Sequence, residues 1–124
     1  MSKAGFEGRI GHLLIVEDSV LLAMDVELTA VDLGVDRASV ASDVSTALAL
    51  IETEKFDAAL VDLFLGDEDG RVVAERLREL NVPFALMTGS GDVDWLGVQM
   101  PGTPVLTKPF TRNELAKTLG NLGR

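Results

Sequence analysis

The sequence predicts an α/β domain built on a doubly wound, five-stranded parallel sheet with strand order 2-1-3-4-5. Three observations carry that prediction. Short apolar runs alternate five times with amphipathic stretches of roughly ten to fifteen residues. The first and third runs are almost wholly apolar, as central strands covered on both faces must be. Finally, the residues able to do chemistry follow the ends of the runs, where open α/β sheets bind ligands.

The strand-like runs are His12–Val16, Arg37–Ala41, 58–63, 83–87 and 104–107. His12 opens the first and is expected to be a solvated strand start. The first helix, 19–33, places Asp25, Thr29 and Asp32 on one wet stripe of an otherwise buried surface, and Gly34 ends it. Behind Ser42 and Asp43, the second helix repeats Val44, Ala47, Leu48 and Ile51 at helical spacing. A third, from about Arg71, presents Val73, Leu77 and Leu80 on one face. In the last, Thr111 and Glu114 form a capping box, Phe110 and Leu115 a hydrophobic staple, and Leu115, Leu119 and Leu122 the packing face. Between strands four and five, 89–103 is Gly-rich, and a short or irregular fourth helix carrying Trp95 is expected there.

With 124 residues, 47% of them apolar, the chain fits one domain: a flexible segment 1–11 followed by a folded body 12–124. Eleven basic against twenty acidic residues give a net charge of −9, which disfavours nucleic acid and anionic membrane surfaces. Cysteine is absent, so disulfides and thiol chemistry are excluded. No run approaches the ~20 apolar residues of a membrane span, and a cytoplasmic location is expected.

Glu17 and Asp18 follow the first strand, Asp62 lies near the end of the third, Thr88 follows the fourth and Lys108 the fifth. Crowded carboxylates repel unless a cation intervenes, and an all-oxygen set suits Mg²⁺. Asp62 is then a candidate nucleophile for a phosphoryl group. Asp18, with Glu17 acting directly or through water, would hold the metal against Asp62, and the Phe64 backbone carbonyl is a further candidate ligand. Lys108 and the Thr88 hydroxyl would hold phosphoryl oxygens, with the Gly89 N–H in support.

VEDS at 16–19, VDLFLGDEDG at 61–70, TG at 88–89 and TKPF at 107–110 resemble, in order and spacing, the receiver domains of response regulators. The resemblance runs from about His12 to Leu122. It implies a flavodoxin-like receiver fold and a two-component phosphorelay in which Asp62 takes phosphate from a sensor histidine kinase or phosphotransfer protein. It further implies slow self-dephosphorylation rather than turnover as an enzyme, and a cis peptide bond before Pro109. The 83–89 stretch also resembles a stand-alone alphaproteobacterial subgroup with a Phe-Ala-Thr-Gly-type motif, although Leu86 and Met87 replace its Phe and Ala. Gly66 stands where a proline is common, and Val105 where many receivers carry an aromatic switch residue. Output is expected through contacts with a downstream protein, or as a sink for phosphate.

Two other functions fail at named residues. An aspartyl phosphatase places a second acid two residues after its nucleophile, and that residue is Phe64. A flavin carrier needs a phosphate loop after the first strand, where Glu17 and Asp18 would repel phosphate. The acidic stretch 66–70 is no EF-hand, because Leu65 and Arg76 stand where that register needs acids.

Overall fold

The computed structural model describes residues 10–89 and 102–123. In chain order the elements are β1 (His12–Val16), α1 (Val20–Leu33), β2 (Arg37–Ala41), α2 (Val44–Thr53), β3 (Ala58–Asp62) and a short pair β4 (Phe64–Leu65) and β5 (Glu68–Asp69). Then follow α3 (Arg71–Glu79), β6 (Phe84–Gly89), β7 (Val105–Lys108) and α4 (Arg112–Leu122). Five strands pair in parallel in the order β2-β1-β3-β6-β7. This is the expected 2-1-3-4-5 arrangement, with the hairpin β4–β5 as an addition that no sequence pattern predicts. The expected fourth helix and Trp95 fall at 90–101, outside the described residues, as does the N-terminal stretch 1–9.

Alternation along the central strands sorts side chains between two apolar layers. Leu13 and Ile15 face α1 and α4, joined by Leu60, Met87 and Leu119. Leu14 and Val16 face α2 and α3, joined by Val61, Leu77 and Leu86. Every residue of β1 and β3 is buried, which accounts for their continuous apolar runs. The packed body begins at Ile10, which is buried and whose carbonyl accepts the Asp36 N–H.

Local signals set the helix ends. Ser19 caps α1 and Asp43 caps α2 through side-chain oxygens, and the Thr111–Glu114 capping box opens α4. Helix α1 closes with Gly34 at φ 123°. Helix α3 closes with Asn81 at φ 59°, whose N–H donates to the Arg78 carbonyl while the Val82 N–H reaches that of Leu77. Such a turn suits asparagine.

Three sequence expectations need correction. Helix α1 buries only Ala23, Val26, Ala30 and Leu33 and leaves Val20, Leu21, Met24, Leu28 and Val31 exposed, so its outer face is largely apolar rather than one wet stripe. Leu80 lies past the end of α3 and is exposed. His12 is buried, not solvated: its ring lies 4.3 Å from that of Phe56, with Nε2 2.7 Å from the Ser39 hydroxyl and Nδ1 3.1 Å from the Lys55 carbonyl oxygen. Those partners come from β2 and the α2–β3 connection, which satisfy a polar ring inside the body.

Candidate functional site

The carboxyl ends of β1, β3, β6 and β7 meet at one edge of the sheet. Just beyond β1, the Glu17 N–H donates to the Ala41 carbonyl at 3.0 Å, so the chain keeps the direction of the strand and carries the Glu17 carboxylate inward. Asp62 is the last residue of β3, opposite Met87, and the Leu63 N–H holds the Met87 carbonyl at 2.9 Å. Thr88 pairs in register with Thr107, and Gly89 with Lys108. The structure therefore brings Glu17, Asp18, Asp62, Thr88, Gly89 and Lys108 to the same edge, with Pro109 next, behind a cis Lys108–Pro109 bond.

Glu17, Asp62 and Thr88 are buried, whereas Asp18 is exposed. The Lys108 ammonium donates to Asp62 Oδ2 at 3.1 Å and to Glu17 Oε1 at 3.2 Å. The other Glu17 oxygen accepts the Ser19 N–H at 3.0 Å. The Thr88 hydroxyl donates to the Gly89 carbonyl at 3.3 Å. Burial pushes the Glu17 carboxyl up to about 7, against the lowering pull of the Ser19 N–H and Lys108. For Lys108, burial disfavours the charge, but the Asp62 and Glu17 carboxylates outweigh it and raise its pKa.

Oxygen atoms of Glu17, Asp18 and Asp62 all lie within 4.8 Å of one another. Three carboxylates around one point, with Lys108 the single ammonium beside them among the described residues, form a donor set that fits a hard divalent cation such as Mg²⁺.

The hairpin β4–β5 shapes the other side of this edge. Its two-residue turn, Gly66–Asp67, has Gly66 at φ 64°, a conformation closed to proline. That is the physical reason the chain carries glycine at 66. The Gly70 N–H donates to the Leu63 carbonyl at 2.8 Å. By the alternation of antiparallel pairing, Phe64 and Asp69 then form a non-hydrogen-bonded pair, and the Phe64 carbonyl is not consumed by the ladder. The hairpin is tied down from outside as well, by Glu68 accepting the Val44 N–H at the start of α2 and by Asp69 gripping Arg71.

Residues 13–120 match the family model for the response regulator receiver domain. This chain belongs to that family. As a receiver domain of two-component signalling, it is 32% identical over 111 residues to the alkaline phosphatase synthesis transcriptional regulatory protein PhoP of Bacillus subtilis (strain 168). That match covers 83% of this chain and 44% of PhoP, so the receiver domain spans less than half of that relative's length. Among solved structures, the receiver domain of the Erythrobacter litoralis response regulator PhyR superposes with a TM-score of 0.80 at 28% identity, covering 93% of this chain and 90% of that one. Vibrio cholerae chemotaxis protein CheY4 gives 0.76 at 26% identity, covering 91% and 98%. The flavodoxin-like receiver architecture expected from the motifs is therefore the observed one. Among the described residues no helix is long and apolar enough to cross a membrane.

Sequence reasoning named residues that the structure gathers at one edge, but it missed their supports. The double engagement of Lys108 by Glu17 and Asp62 is a tertiary fact, and the hairpin rests on a turn that the lone Gly66 does not announce.

Proposed function

We propose that this receiver domain takes a phosphoryl group from the phosphohistidine of a sensor kinase or phosphotransfer protein onto Asp62, with Mg²⁺ as cofactor. The observation that carries the reading is the Lys108 ammonium 3.1 Å from Asp62 Oδ2, beside three carboxylates whose oxygens fall within 4.8 Å. Glu17, Asp18, Asp62 and the Phe64 carbonyl are the groups that would hold the metal. Bound there, Mg²⁺ supplies positive charge against the carboxylates and the incoming phosphoryl oxygens.

The chain's own residues do the rest by position. An Asp62 oxygen attacks phosphorus as the bond from phosphorus to the donor's ring nitrogen breaks, and the imidazole leaves neutral with a proton on its other nitrogen. Lys108, already at Asp62, pairs with one phosphoryl oxygen; Thr88 turns its hydroxyl to another, with the Gly89 N–H in support. Water removes the phosphoryl group slowly at the same site, so the domain assists its own chemistry without serving as an enzyme for other substrates.

The donor docks on α1. Leu21, Met24, Leu28 and Val31 recur at spacings of three, four and three residues, all exposed, on the helix that leaves the metal loop. This is the seam a partner helix packs against, and Asp25, Glu27 and Asp32 beside it call for basic residues on that helix. Output is a protein contact at the Thr88–Lys108 edge, made without an aromatic at 105 to swing inward.

The test is intact-protein mass spectrometry after incubation with Mg²⁺ and a small acyl phosphate. One phosphoryl adduct that vanishes on prior chelation and in Asp62→Asn supports the reading; an adduct that persists in Asp62→Asn removes Asp62 from it.

A further inference from the structure

We infer that Gly70 is a positioning residue for Asp62: the absence of a side chain at 70 lets the start of α3 rest directly on the Asp62 backbone and so fixes the Asp62 carboxylate against Lys108. The inference rests on the phosphoacceptor reading and adds a residue to it.

Backbone conformation does not explain this glycine. Gly70 sits at φ −63° and ψ −15°, ordinary helical values open to any residue. Space does explain it. A methyl at 70 would overlap the Asp62 carbonyl oxygen outright, and would stand 3.0 Å from the Leu63 carbonyl oxygen and 3.1 Å from the Asp62 carbonyl carbon. All three atoms are backbone, so no flexible side chain can step aside. Gly66 is the contrast, since a side chain there meets only Asp18 Oδ2 at 4.0 Å and the demand is conformational.

What yields to an added methyl follows from what is pinned. Helix α3 is held by Val73, Ala74 and Leu77, all fully buried, and its first turn closes on the Gly70 carbonyl through the Val73 and Ala74 N–H groups. The loop before it is held by Arg71 on Asp69 and by Val44 on Glu68. What the methyl meets is the backbone of Asp62, the last residue of β3. Its displacement acts on the 3.1 Å contact to Lys108 and on the carboxylate cluster. An error of about 1 Å in a reacting group is enough to slow a reaction by roughly a hundredfold.

The experiment compares wild type, Gly70→Ala and Leu119→Ala. Leu119 lies in the opposite apolar layer, so its truncation destabilises the fold without touching the site. Each protein is followed by thermal unfolding, by acyl-phosphate labelling at saturating Mg²⁺, expressed per folded molecule, and by the ¹⁵N signal of the Lys108 ammonium. Gly70→Ala is expected to lose roughly ten- to a hundredfold in labelling rate and to shift the Lys108 signal, while Leu119→Ala keeps both. If Gly70→Ala is unfolded in plain buffer, the measurement is repeated in trimethylamine N-oxide, which favours the folded chain. A folded Gly70→Ala with wild-type rate and signal overturns the inference. So does equal loss in Leu119→Ala, or a chain that stays unfolded in the osmolyte. If wild type takes no label at all, the phosphoacceptor reading fails, and the Lys108 signal alone then decides whether Gly70 positions Asp62.

Discussion

Lys108, the last residue of β7, bridges Glu17 from the β1 loop and Asp62 from the end of β3 at 3.2 and 3.1 Å, closing three separate parts of the chain around one ammonium. The two carboxylates are buried and the ammonium is about a quarter exposed, so the pair is only partly screened. Removing it by Lys108→Met leaves two acids facing each other. Without metal, that variant is expected to lose about 1–3 kcal/mol of stability, discounted for the exposed ammonium. Mg²⁺ should recover part of the loss. Denaturant unfolding with and without Mg²⁺ checks this, and a metal-free loss below 0.5 kcal/mol (about the scatter of surface substitutions) would speak against the bridge.

Proton linkage at Glu17 gives a sign. Its folded value of about 7 lies above the ordinary 4.5, so between these values the folded chain keeps a proton that the unfolded chain has lost. Stability without metal therefore falls as pH rises from about 4.5 to about 7, and Glu17→Gln should flatten that slope. Over the same window Mg²⁺ binding should tighten with pH, because the proton must leave first. Calorimetric titration in buffers of different ionisation enthalpy reads the released proton directly. An unchanged slope in Glu17→Gln would remove Glu17 as its source.

The hairpin turn supplies a third prediction. Placing a proline there, Gly66→Pro, asks for φ near −65° where the chain has 64°. It should cost more stability than Gly66→Ala, itself expected to cost about 1–2 kcal/mol. Equal thermal midpoints for wild type and Gly66→Pro would show that the turn is not held as described.

Exposed residues of α1 separate docking from chemistry. Leu21→Asp or Met24→Asp should slow transfer from a histidine kinase that labels wild type by at least roughly tenfold, while labelling by acyl phosphate and stability (within about 0.5 kcal/mol) stay unchanged. Equal losses with both donors would place these residues in the fold or the chemistry instead.

How far the sequence reached depends on how local each signal is. Strand order followed from alternating apolar runs, and the caps at Asp43 and Thr111 were readable because each acts within three residues. The candidate site residues could be proposed because they lie at or just beyond the carboxyl ends of strands, where the structure brings them to one edge. His12 was misread because what buries it, Phe56 and Ser39, lies 44 and 27 positions away (56 − 12 and 39 − 12). Apolar α1 was misread because composition alone does not say which of its apolar residues face the core and which stay exposed. Nothing in the string distinguishes Gly70, required by contact, from Gly66, required by conformation.

The most direct measurement is borohydride reduction of the protein after acyl-phosphate treatment with Mg²⁺, followed by peptide mass spectrometry. An aspartyl phosphate is reduced to homoserine, marking the acceptor in place. The structure predicts homoserine at position 62 alone, dependent on Mg²⁺ and lost in Lys108→Met. Homoserine at 18, 5-hydroxynorvaline at 17, or no homoserine at 62 in a protein that carries phosphate, would contradict it.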